Sequence, residues 1–215
     1  MTSVVSNQSA SCSPLNFLAN LAGEQQRSLA LKKTITNADL AVSPSLYLKA
    51  LFMKSCPHIM LPLRSNLGDM RAPPDIYDME LSRAVRMCDL DKMRELHNAG
   101  KSFDACNRFG ESLLHMACRR GDARVVKFLI EEAKVQVDVT DDFGRTVLHD
   151  ACWTGSVHTD VMDVLITAVP PEFWVTEDKR GHTPFDYAPR KDWGPWLRYL
   201  RSKQGQFVRN FAYLY

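Results

Sequence analysis

Two stretches of this chain carry nearly the same message. Residues 107–130 read NRFGESLLHMACRRGDARVVKFLI, and residues 141–166 read DDFGRTVLHDACWTGSVHTDVMDVLI. Gly110 and Gly144 lie 34 residues apart, as do His115 and His149, and Cys118 and Cys152. A fixed period of this size means a small folding unit laid down more than once. Such a unit cannot bury its apolar face alone and must stack on its neighbours. The recurring L-H-x-A-C also poses a chemical question. Histidine and cysteine three apart share one face of a helix, and two such pairs are enough for a four-ligand zinc site.

The period extends in both directions. Downstream, EDKRGHTPFDYAPRKDWGPWLRYLRS places Gly181 37 residues after Gly144. Two of the additional residues fall between Gly155 and Leu165, in the turn joining two helices, and one falls near Pro170-Pro171. Upstream, DMELSRAVRMCDLDKMRELHNAGKSFDAC sets Ala84 33 residues before Ala117 and Leu96 33 before Leu129, with Cys88 where a turn glycine is expected. The pattern gives about four units, of which the two central ones are the best formed.

Each unit predicts a helix pair. Ser112 caps a helix ending at Gly121, a residue suited to the left-handed C-cap, and Asp122 caps the next. Val125, Val126, Leu129 and Ile130 follow at helical spacing and face inward. The matches SLLHMA, TVLHDA and TPFDYA resemble the T-P-L-H-x-A signature of the ankyrin repeat, across residues 78–203. The expected fold class is therefore all-α: an α-solenoid of about four ankyrin repeats over residues 76–203. Residues 1–75 form an N-terminal extension and linker, and residues 204–215 an aromatic tail or cap.

The resemblance implies roles. Gly110, Gly144, Gly181, Thr183 and Pro184 are structural positions. His115 and His149 hydrogen-bond the backbone of the neighbouring repeat, and the Ala-Cys after them lets paired helices approach closely. Cysteine there is a small buried hydrophobe. Zinc fits poorly, because stacking holds equivalent positions roughly 10 Å apart. A thiol in apolar surroundings is also no nucleophile. No metal and no cofactor are expected, and no catalytic constellation appears.

Ankyrin repeats grip partners through loop tips and the concave face of the first helices. By resemblance the exposed positions are Arg108, Phe109, Glu111, Arg119 and Arg120 in one repeat, and Asp142, Phe143, Arg145, Trp153 and Thr154 in the next. Lys179, Arg180, His182, Arg190 and Lys191 follow in the last. Trp153 is either a binding anchor or a cover over the enlarged turn. The acids Glu111, Asp142 and Asp150 are expected to lie among these positions and to favour a shaped protein partner over a polyanion.

Composition agrees with a protein-binding role. The net charge is +2, divided as +3 over residues 1–70 and −1 over the remainder, so neither part is the basic stripe that nucleic acid requires. No charged residue precedes Glu24 and no long apolar run follows, so no signal peptide is expected. Ser45–Leu63, the most apolar stretch, is broken by Lys49, Lys54, Pro57 and Pro62. The six cysteines (Cys12, Cys56, Cys88, Cys106, Cys118, Cys152) show no framework spacing and are expected as reduced thiols in cytosol or nucleus. A monomer is expected in the absence of a partner.

Before the repeats, Met1–Ser13 is rich in serine and asparagine and predicts no fixed structure. Ser13-Pro14 and Ser43-Pro44 each suit a helix start, and also a proline-directed kinase. Ser65–Asp75 predicts a linker. Gly100-Lys101-Ser102 mimics the end of a phosphate loop, but Glu95 stands where its first glycine belongs. Cys56-Pro57-His58 resembles a Cys-Pro haem-regulatory motif and gives the rival reading, a thiol- or haem-responsive sensor. Another rival makes residues 1–70 the effector part of a regulatory or degradation complex. The aromatic tail GQFVRNFAYLY is expected to cap the stack together with Trp193 and Trp196.

Overall fold

The computed structural model describes residues 42–59, 61, 63–64 and 77–212. The expected helix over residues 14–33, Ser13 and the expected linker over residues 65–75 lie outside them. Helix α1 spans Pro44–Ser55, and four stacked units follow. The first holds α2 (Met79–Arg86) and α3 (Leu90–Asn98). The second holds α4 (Leu113–Arg120) and α5 (Ala123–Lys127), which runs on into a π turn at Phe128–Glu132. The third holds α6 (Val147–Cys152) and α7 (Thr159–Ala168). The fourth opens with a 3-10 turn, Pro184–Tyr187, and closes with α8 (Trp193–Ser202), after which α9 covers Gln204–Ala212. Among the described residues the sheet is a two-residue parallel pair joining β1 (Leu63–Arg64) to β2 (Thr176–Glu177), and isolated antiparallel bridges pair Cys106 with Ser112 and Thr140 with Thr146.

Local chemistry places the ends. Ser112 accepts the His115 backbone N–H at 3.3 Å, and Gly121 closes α4 at φ +76°. The His158 ring packs where a Cβ on Gly121 would stand, so only glycine fits there. Cys88 occupies the same turn in the first unit at φ +55°, which confirms the register at a steric cost for a residue with a Cβ. The two-residue insertion makes the third turn longer. Gly155 has no positive φ, and α6 ends instead at Trp153 in the right-handed region. Lys101 pairs with Asp78 at 2.5 Å and Glu80 at 2.9 Å, so Gly100-Lys101-Ser102 is a helix-end loop.

Successive units are bound by one repeated device. His115 accepts the Ser112 N–H on Nδ1 at 3.3 Å, which leaves Nε2–H to donate to the Arg145 carbonyl of the next unit at 3.0 Å. His149 accepts from the Thr146 N–H at 3.0 Å and donates forward to the His182 carbonyl at 3.0 Å. Both rings are fully buried. With both nitrogens engaged, neither ring has a lone pair for a metal. Burial pushes the Cys118 and Cys152 thiols well up, as inert core thiols require. In the fourth unit Asp186 stands at the histidine position. Its carboxylate accepts from the Thr183 N–H and hydroxyl, both at 2.8 Å, and caps its own turn without reaching forward.

The stack ends there because other parts of the chain cover it. Phe207 and Phe211 of α9 are fully buried, and Phe211 meets Phe52 of α1 edge-on at 4.8 Å. Trp174 contacts Phe207 and Phe185, and Phe185 contacts Trp196. Polar links fix the register of α1 on the fourth unit: the Ser45 and Thr183 hydroxyls at 2.8 Å, and Lys49 with Glu177 at 3.1 Å. The segment before the repeats thus returns to close their far end. Ser43 caps α1 by accepting the Leu46 N–H at 3.2 Å.

Leu129 and Leu165 occupy equivalent fully buried positions. Leu129→Ala or Leu165→Ala should cost about 2–5 kcal/mol, and Phe52→Ala at the closing helix about 3–5 kcal/mol. Urea denaturation of the whole chain checks all three, and an unchanged midpoint for Phe52→Ala would show that α1 is not part of the fold.

Burial drives the His149 pKa down to about 4. The unfolded chain, with histidine near 6.5, therefore binds more protons than the folded one between those values. This group's contribution to stability is present above about pH 6.5 and falls as the pH drops toward 4, by about 3 kcal/mol in all. Denaturation midpoints from pH 7 to 4 should fall less steeply for His149→Gln than for the natural sequence.

Candidate functional site

Each of three hairpin loops is built by a turn carboxylate or amide. Asn107 Oδ1 accepts the Phe109 and Glu111 N–H groups at 2.9 and 3.1 Å. Asp141 and Asp178 do the same for Phe143 and Arg145, and for Arg180 and His182, at 2.8–2.9 Å. Gly110, Gly144 and Gly181 follow at positive φ. The turns hold each tip in one conformation, and adjacent tips are sewn together: Asp142 N–H donates to the Phe109 carbonyl at 3.0 Å and Lys179 N–H to the Phe143 carbonyl at 2.9 Å. Three tips thus make one continuous ridge. The sequence reading missed these turn residues, although Asn or Asp three positions before each repeat glycine is the signal that marks them.

The ridge displays aromatic rings in the open. Phe109 is 49%, Phe143 45% and Trp153 50% exposed. Guanidinium groups lie over them: Arg108 over Phe109 at 4.7 Å, Arg145 over both Phe143 and Trp153 at 5.2 Å, and Arg180 over Phe143 at 5.8 Å. Trp153 also tilts against Tyr187 at 5.7 Å. Rings held this way offer large contact area without further loss of rotamer freedom.

The remaining expected positions separate into groups. Lys179, Arg180, His182, Arg190 and Lys191 are exposed, as expected. Glu111, Asp142 and Arg145 are half-buried, and Arg119 lies against Glu111. Arg145 binds Asp141 at 2.5 Å with Asp141 fully enclosed. Arg120 turns the other way, beside Cys88, Asp122 and Arg124 at the helix-turn end of the stack, and does not join the ridge. Thr154 corrects the reading. It is 8% exposed, and its hydroxyl donates to the Ser156 carbonyl, because the longer third turn folds over it.

The acids do not face outward as expected. Asp150 is fully buried, its two carboxylate oxygens have no hydrogen-bond partner among the described residues, and burial raises its pKa, with Arg119 and Arg145 acting against that rise. Tyr187 is pushed up to about 12 by burial and by its 2.5 Å hydrogen bond to Asp178. With Glu111 paired to Arg119, Asp141 to Arg145 and Asp150 enclosed, the exposed charges among the expected positions, apart from Arg120, are Arg108, Lys179, Arg180, Arg190 and Lys191.

Cys56 is placed away from solvent. It is fully buried, and its thiol donates to the Phe211 carbonyl at 3.1 Å, inside the contact between α1 and α9. Haem has no approach to this sulfur while that contact holds. Among the described residues no His/Cys/Asp/Glu cluster has metal-binding geometry, and no helix is long and apolar enough to cross a membrane.

A search of curated proteins finds no match. Residues 81–177 match the family model of ankyrin repeats in three copies. The match begins in α2 and ends at β2, so it covers the first three helix pairs and the loops between them. The histidine staples, the glycine-turned hairpins and this match together show that residues 81–177 are ankyrin repeats.

Proposed function

We propose that the chain is a protein-interaction module that grips its partner on the hairpin ridge and the adjoining first helices of its second to fourth repeats. Ankyrin repeats are general protein–protein interaction modules. The observation that carries the reading here is the row of exposed rings, Phe109, Phe143 and Trp153, each held under a guanidinium. Tryptophan and arginine dominate binding hot spots because each combines large area with a directed polar group. Trp153 is the central anchor, flanked by Arg145 and Tyr187. Cytosol or nucleus is the compartment that suits free buried thiols such as Cys106, Cys118 and Cys152.

The sensor reading finds no support in the burial of Cys56. An effector role for the segment before the repeats does not suit Pro44–Ser55, whose apolar face is spent on closing the stack.

A protein partner recovered from native lysate and then purified provides the test. Trp153→Ala should weaken its binding by about 2 kcal/mol or more, with helix content unchanged. Lys127→Ala, on the exposed side of α5, should leave affinity as it is. Equal affinity for the natural chain and a Trp153→Ala/Phe143→Ala variant would place the binding surface elsewhere.

A further inference from the structure

The fourth unit sorts its charges. Four cations stand outward on it: Lys179 and Arg180 at the hairpin tip, and Arg190 and Lys191 in the 3-10 turn Arg190–Asp192. Its acids are enclosed or already engaged. Asp178 is buried and accepts the Arg180 and His182 N–H groups and the Tyr187 hydroxyl. Asp186 takes the Thr183 N–H and hydroxyl, and the Asp192 side chain is only 16% exposed. The cations meet carbonyls and rings instead. Lys179 donates to the Asp142 backbone carbonyl at 2.7 Å and Lys191 to that of Gly155 at 3.3 Å. Arg180 rests over Phe143 at 5.8 Å and Arg190 over Trp193 at 5.7 Å. Lys191 comes no nearer than 4.0 Å to the Asp192 carboxylate, and among the described residues none of the four has a closer one. The first unit is built the other way: Lys92 and Lys101 each hold two carboxylates, and Arg94 holds one. Paired charges cancel locally, whereas the uncancelled group keeps a positive field over its surface.

We infer that this face of the fourth unit takes an acidic segment of the protein partner, an inference that rests on the proposed protein-binding role of the ridge it borders. The cluster adjoins the Trp153 anchor through measured contacts. Arg180 reaches Phe143, Tyr187 meets Trp153 at 5.7 Å, and Lys191 bonds the Gly155 carbonyl two residues beyond Trp153. A partner seated on Trp153 therefore has cations beside it at the tip and at the turn. Guanidinium and ammonium groups without a carboxylate of their own are suited to accept those of Asp and Glu side chains. Their uncancelled field also speeds the encounter with an acidic surface. Nucleic acid fits less well. A phosphate backbone needs cations along its length, and these are confined to one unit, while residues 71–215 together hold 21 basic and 22 acidic residues.

The test uses the full chain and fluorescent probes read by anisotropy at about 0.1 M salt. The probes are a decapeptide of alternating aspartate and glutamate, its asparagine–glutamine counterpart, and poly-uridylate. The acidic peptide should bind at least about tenfold more tightly than the amide peptide, and should lose about tenfold with Arg180→Gln/Lys191→Gln. Arg83→Gln/Arg86→Gln removes two exposed cations from α2 of the first unit and should leave its binding unchanged. Equal loss in both variants means attraction to overall charge and overturns the inference. Equal binding of the two peptides, no binding by either, or tighter binding of poly-uridylate overturns it too. The ridge reading is judged separately, on the recovered partner. A partner weakened by Trp153→Ala but not by Arg180→Gln/Lys191→Gln leaves that reading standing and overturns the acidic occupant.

Discussion

The hydrogen bond thrown forward from one repeat to the next sets the terms for the rest of the molecule. A buried imidazole has one donor and one acceptor, and here both are assigned. Nδ1 takes the N–H that starts its own helix, and Nε2–H reaches the hairpin carbonyl of the following unit, Arg145 from His115 and His182 from His149. The same bond that stacks two repeats therefore fixes where the next hairpin begins. The tips align because the staples beneath them align. Where the staple is replaced by Asp186, stacking stops, and the chain supplies α1 and α9 to cover the exposed end.

The parts legible in the sequence are those whose cause is local or periodic. Gly121 at its left-handed C-cap, Ser43 and Ser112 as N-caps, and the inward faces of Leu129 and Leu165 all follow from residue type and spacing. Even Cys88, a poor turn residue, was placed by register alone and adopts the positive φ of the glycine it replaces. The parts that were not legible join residues far apart in the chain. Nothing in Cys56 announces the Phe211 carbonyl, and nothing in Ser45 announces Thr183, because a single pair of distant partners leaves no period to read. Thr154 was misplaced for a related reason. Register put it at an exposed position, but the two-residue insertion that lengthened the third turn folded that turn back over it. Of the candidate surface, the exposed rings were legible by position. Two of the acids were not, since pairing removed Glu111 and burial removed Asp150 from the outer face, and sequence displays neither.

Function follows from what this frame leaves uncovered. A solenoid with both helices of each unit committed to packing has its loops and one helix face to spare. In this chain that spare surface carries half-exposed rings held under guanidinium groups, and the turn residues Asn107, Asp141 and Asp178 keep each tip in one conformation before any partner arrives. A surface ordered in advance loses less entropy on binding. A buried ring nitrogen thus sets the position of an exposed row of side chains.

The tautomer of His115 and His149 is the direct test of the staple. Long-range proton–nitrogen NMR on the full chain at neutral pH reads which ring nitrogen carries the proton. Both rings should be neutral, with Nε2 protonated and Nδ1 bare. Imidazolium signals, or the proton on Nδ1, would contradict it, because neither form can both accept the Ser112 or Thr146 N–H and donate to the next repeat.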